Sequence, residues 1–133
     1  RIGGRPYNIT CVDMGNPHCV VFCPRVDAVD VPFIGPLFER APYFPERINT
    51  EFIRVVNPST IKMRVWERGS GETLACGTGA CAAVVAAVAN GLCTKGSDVT
   101  VRARGGDLIV NYTDERVTLT GDAKLVYTGE AEY

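Results

Sequence analysis

Cys76 stands in the run Glu72-Thr73-Leu74-Ala75-Cys76-Gly77-Thr78-Gly79-Ala80-Cys81. Directly after it, Ala80, Ala82, Ala83, Ala86, Ala87 and Ala89 surround Val84, Val85 and Val88, and Asn90-Gly91 supplies a C-terminal stop, so a helix is predicted over 77–90. A free thiol has a pKa of about 8.5 and is only slightly ionised at neutral pH, and the partial positive charge of a helix N-terminus lowers that pKa. Position therefore makes Cys76 reactive. The unpaired amides of the same first turn, carried with little side-chain bulk by Gly77, Thr78 and Gly79, form a ready site for a carboxylate or phosphate. The residues alone leave a second reading open, in which a glycine-rich turn merely begins a buried helix and Cys76 is a small hydrophobe. Cys81, a turn further in, reads as core.

Three other clusters carry polar groups able to serve such a site. Trp66-Glu67-Arg68-Gly69-Ser70-Gly71 ends a strand with a carboxylate and a guanidinium. Glu67 there could be a hydrogen-bond partner or proton relay, and Arg68 a bidentate grip on a second carboxylate. A surface ion pair between the two is the alternative. Gly15-Asn16-Pro17-His18 precedes an apolar strand. Asn16 could read an amino or carboxylate group and His18 could tune a thiol or carry a proton, against the alternative of an Asn-Pro turn with a structural histidine. Asn49, in Arg47-Ile48-Asn49-Thr50, is ambiguous in the same way.

The elements that must position these groups are mostly strands. Ile61, Met63 and Val65 alternate with Lys62, Arg64 and Trp66, and Val99, Val101 and Ala103 with Thr100, Arg102 and Arg104, the period of half-buried strands. Further strands are predicted over 8–12, 19–23, 50–56, 108–112, 116–120 and 124–128, separated by turn-forming residues whose close spacing favours antiparallel hairpins. A short helix fits Pro32 to Arg40, interrupted by Gly35-Pro36. The run Trp66 to Thr73 ends a strand and then reads as a flexible turn leading toward Cys76. Because the 77–90 helix is apolar on every side, it is expected to be buried and wrapped by a curved sheet. The fold class is thus α+β, a mostly antiparallel curved sheet or barrel around one buried central helix, in a single domain over 1–133.

Composition narrows the function classes. The chain has 133 residues, 46% of them hydrophobic, and a formal net charge of −1, enough for a core and without the basic stripe that nucleic acid requires. No apolar run approaches the roughly 18 residues of a membrane-crossing helix. Arg1 stands where a Met would open a chain, and residues 1–8 lack a signal-peptide core, so a fragment in a cytoplasmic setting is expected. The 6 cysteines read as reduced, Cys19, Cys81 and Cys11 at positions suited to a small apolar residue. With one histidine and no Cys-x-x-Cys pair, no metal site is expected.

Gly15-Asn16-Pro17-His18, then Phe44-Pro45 with Asn49, then Glu67-Arg68-Gly69-x-Gly71-Glu72-Thr73-x-Ala75-Cys76-Gly77-Thr78-Gly79-Ala80 resemble, in order and spacing, the second half of the diaminopimelate epimerase family. Gly121, Ala123 and Gly129-Glu130 resemble its carboxy terminus. The resemblance implies an isomerase that inverts an α-carbon of diaminopimelate, LL to meso, for lysine and peptidoglycan precursors. It implies neither pyridoxal phosphate nor metal. Two cysteines on opposite faces of the substrate exchange protons, one as thiolate and the other as thiol. Carried across residue by residue, Cys76 is one of them, Glu67 its hydrogen-bond partner and His18 the partner of the opposing cysteine. Asn16, Asn49 and Arg68 hold the distal amino acid end, and the amides of Gly77 and Thr78 stabilise the reacting carboxylate. The family's other half, with the opposing cysteine, is not in this sequence, and none of Cys11, Cys19 or Cys23 stands in its expected setting. The partner is then the missing N-terminal half, with a homodimer as substitute, and the fragment alone is expected to be inactive. Competing readings are an anion-binding module without chemistry and a racemase for another amino acid.

Overall fold

The computed structural model describes residues 2, 6–44, 47–74, 77–121 and 124–129, the last stretch by its backbone. Alternating apolar residues build one sheet. Its strands are β1 (Asn8–Asp13), β2 (Pro17–Phe22), β3 (Asn49–Asn57), β4 (Thr60–Glu67), β5 (Gly71–Thr73), β6 (Asp98–Ala103), β7 (Gly106–Tyr112), β8 (Val117–Gly121) and β9 (Lys124–Gly129). The order across the sheet is β1-β2-β3-β4-β6-β7-β8-β9, with β5 attached to β4. β2 runs parallel to β3 and β4 parallel to β6, and the other pairings are antiparallel. One edge of β4 is shared along its length: Thr60 to Lys62 pair with β6, and Val65 to Glu67 with β5.

The sheet encloses α2 (Gly77–Ala89). All nine residues from Gly79 to Ala87 are buried, and the helix touches β1, β2, β3, β4, β6, β7 and β8. A helix with no polar face finds apolar partners in every direction only inside a curved sheet, and its alanines let the strands approach closely. The inward rows of the strands supply those partners, among them Val20, Ile53, Ile61, Met63, Val65, Val99, Val101, Val110, Val117 and Leu119. The predicted curved sheet around one central helix is what is found.

The outer face of β2, β3 and β4 has its own core. Cys19, Val21 and Phe52 pack there with Val31, Ile34 and Phe38 of α1 (Val31–Glu39). Gly35, which seemed from sequence only to interrupt this helix, has a packing reason: a Cβ there would lie 2.4 to 2.6 Å from the Trp66 indole. Trp66 Nε1 in turn donates to Glu39 Oε1 at 2.8 Å. Two expectations are corrected. Residues 71–73, read as part of a flexible turn, form β5, because Arg64 grips Glu72 through two hydrogen bonds, Nε to Oε2 at 2.9 Å and Nη2 to Oε1 at 3.1 Å. Cys11, assigned an apolar position, is exposed, because its side of β1 turns away from α2.

Candidate active site

Strand direction decides where the predicted residues meet. The inward row of β4 reads Ile61, Met63, Val65, Glu67, that of β3 in reverse Val55, Ile53, Glu51, Asn49, and that of β2 in reverse Phe22, Val20, His18. Apart from Glu51, each row is apolar until it reaches one end of the sheet, where the register places His18 beside Asn49 and Thr50 opposite Trp66. The α2 start faces that end. Its C-terminal continuation is tied to the opposite one, since Thr94 N donates to Pro58 O in the β3–β4 turn at 3.4 Å. His18, Asn49 and Glu67 are thus gathered by topology, with Gly77 and Thr78 half-buried at the start of α2.

His18 is fully buried. Its Nδ1 lies 2.8 Å from Glu51 Oε2, and its Nε2 lies 3.2 Å from Asn16 Oδ1. Asn16 reaches the ring because the chain turns sharply after β1: Gly15 has φ +92°, a left-handed conformation that glycine adopts without strain, and its N–H donates to Asp13 Oδ1 at 2.8 Å. Asn49 brackets the site. Its Nδ2 donates to Pro17 O at 3.2 Å, and its Oδ1 accepts from Arg68 N at 2.7 Å, joining the entrance of β2 to the exit of β4. Arg68 has an exposed side chain and Glu67 is half-buried.

Glu51 was missed by the sequence reading. It is fully buried, and its backbone stands between Val20 of β2 and Val65 of β4. Burial pushes its carboxyl well above the ordinary range, the hydrogen bond from His18 works against that, and the charge of Glu67 adds to it. The sequence signal was available: Glu51 is the one charged residue in the alternating row Asn49, Glu51, Ile53, Val55, and a buried charge requires a partner.

The approach to Cys76 is held from outside. Glu72 Oε2, besides Arg64, lies 3.2 Å from Arg104 Nη1, and Gly105 N donates to Leu74 O at 2.9 Å. Cys76 itself, with Ala75, Pro45, Ala123 and Glu130, lies outside the described residues. Among the described residues no group of three or more His, Cys, Asp or Glu could hold a metal ion, and no helix is long and apolar enough to cross a membrane. A cleft of about 1010 Å³ opens beyond the far end of β2 against α1, lined by Tyr7, Cys23, Arg25 and Asp30 among others. It contains none of the predicted site residues.

A sequence model of the diaminopimelate epimerase family matches residues 10–133. Two curated relatives named diaminopimelate epimerase are similar over nearly the whole chain. The one from Trichodesmium erythraeum (strain IMS101) is 52% identical over 133 residues, 97% of this chain and 46% of that protein. The one from Pelotomaculum thermopropionicum (strain DSM 13744 / JCM 10971 / SI) is 54% identical over 132 residues, covering 98% and 46%. The chain spans about half the length of the curated relatives it matches. Among solved structures, a PhzF-family phenazine biosynthesis protein of Enterococcus faecalis aligns with a TM-score of 0.61 at 18% identity, over 85% of this chain and 43% of that one. A PhzF-family protein of Bacillus anthracis aligns at 0.57 and 20%, over 85% and 37%. At such identities the likeness is one of fold.

Proposed function

The chain belongs to the diaminopimelate epimerase family, and from that premise we propose that it is one half of an epimerase acting on diaminopimelate in the cytoplasm, its site completed by a second half. Cys76, ahead of the first turn of α2, is the thiol that exchanges a proton with the substrate's α-carbon on one face. A cysteine of the other half serves the opposite face. An α-proton next to a carboxylate is a very weak acid, so the carbanion needs fixed positive potential where its charge develops. The amides of Gly77 and Thr78 supply it. Glu67 is the hydrogen-bond partner of Cys76, and His18 gives a proton to the opposing cysteine as thiolate or takes one from it as thiol. Asn16, Asn49 and Arg68 hold the distal amino acid end, so both faces are served without the substrate turning over. No pyridoxal phosphate or metal takes part.

The observation that carries this reading is the distribution of polar residues on the inward rows. His18, Asn49 and Glu67 fall at one end of rows that are otherwise apolar apart from Glu51, the end that the start of α2 faces. The test is to join this chain to the part of the Pelotomaculum relative that it does not cover and to follow conversion of LL-diaminopimelate. Turnover by the joined protein, and none by the 133-residue chain alone, is expected. An inactive joined protein, with calorimetry showing the short chain binding inorganic phosphate tightly by itself, would instead make it an anion-binding module. Turnover of other amino acids in preference would make it a related racemase.

A further inference from the structure

Glu51 has no packing reason to be where it is. Val20 and Val65 flank it, Ile53 follows it on the same face, and all three are buried, so an aliphatic side chain would suit the position. Burying a lone carboxylate there is strongly unfavourable. One Glu51 oxygen, Oε2, meets His18 Nδ1, while Oε1 is among the buried atoms without a hydrogen-bond partner among the described residues. On the other side of the ring, Nε2 also faces an oxygen, Asn16 Oδ1. An imidazole between two oxygens is satisfied only when a proton lies on each side of it.

We propose that Glu51 is a positioning residue for His18, holding a second proton at Nδ1 so that Nε2 keeps its own proton, directed at Asn16. Two arrangements of the same two protons satisfy the geometry. In one, the ring is doubly protonated and Glu51 is a carboxylate. In the other, Glu51 is a carboxylic acid donating to Nδ1 and the ring is neutral. Both are uncharged overall, as a fully buried site favours, and both leave Nε2–H in place. The upward displacement of the Glu51 carboxyl by burial and by Glu67 agrees with such a shared proton. When Nε2 passes its proton to a thiolate, the remaining proton stays on Nδ1 facing the Glu51 carboxylate, and the thiolate becomes a thiol. The same step in reverse reloads the ring. The step toward a thiolate rests on the epimerase reading given above; the two-proton unit does not.

The chain contains a single histidine, so its ring protons can be assigned without ambiguity by proton and nitrogen magnetic resonance on the 133-residue chain. At neutral pH and low temperature the parent is expected to show two downfield protons belonging to the His18–Glu51 unit, and Glu51→Gln only one, with folding followed through the fluorescence of Trp66. A single proton in the parent, or two in both proteins, overturns the proposal. The parent count alone decides if the variant fails to fold. In the joined enzyme, Glu51→Gln is expected to lower kcat by about 100-fold with KM within about twofold, the signature of a lost proton-transfer group. Equal effects on both constants, or none, also overturn it. An inactive parent enzyme with the two-proton signature intact would sink the epimerase reading and leave the Glu51 assignment standing.

Discussion

Cys11 and Cys19 face each other across β1 and β2, and the pair shows how one neighbour sets a thiol's chemistry. The hydrogen bond with Cys19 brings the Cys11 thiol down from 9.0 to about 7, against the opposing effect of burial, while the Cys19 thiol is pushed up. Alkylation of exposed Cys11 by iodoacetamide, followed by peptide mass spectrometry, should reach half its maximal rate near pH 7, and Cys19→Ala should move that midpoint up toward 9.0; an unmoved midpoint would contradict the assignment. Glu51 gives a second prediction. A carboxyl raised above its unfolded value of 4.5 binds more protons in the folded chain than in the unfolded one. Its contribution to stability is therefore full below 4.5 and is lost as pH rises. The unfolding free energy of Glu51→Gln, measured in urea, should gain on the parent steadily from that pH toward neutrality. His18, Asn49 and Glu67 were legible as polar residues at strand ends. Glu51 was not picked out, because its role depends on the β2–β3 register that brings it to His18.

At the scale of elements, apolar periodicity was enough wherever burial alone decides the outcome. Ile61, Met63 and Val65 gave β4, and the alanine and valine run gave α2. β5 was illegible because Gly71-Glu72-Thr73 has no apolar alternation. Its conformation comes from β4 beside it and from Arg64, whose side chain is 11% exposed against 12% for that of Glu72. Glu72→Ala leaves Arg64 without its carboxylate and should cost about 3 kcal/mol of stability. Exchange of the Gly105 amide, which holds Leu74 O, should become faster, and unchanged exchange would show that the clamp does not hold this segment. Gly35→Ala drives a methyl into the Trp66 ring and should cost about 1–3 kcal/mol. With one tryptophan in the chain, the loss can be read from fluorescence in a denaturant series; full stability would mean that α1 moves aside freely.

At the scale of the molecule, one curved sheet encloses a helix whose first turn opens toward the polar ends of β2, β3 and β4. That architecture followed from the all-apolar helix, because only a wrapped helix can bury every face. The parallel β2–β3 and β4–β6 pairings did not follow, since hairpin-like spacing suggests antiparallel neighbours and the crossovers through α1 and α2 become visible only in three dimensions. On this account the chain folds around half of a two-sided site, and Cys76 serves a single face of the substrate. The most direct measurement is deuterium incorporation from solvent at the α-carbon of diaminopimelate by the joined protein, comparing the parent with Cys76→Ser. Incorporation coupled to inversion is expected in the parent, with loss of inversion in Cys76→Ser; inversion by that variant at the parental rate would rule out Cys76 as the proton-exchanging thiol.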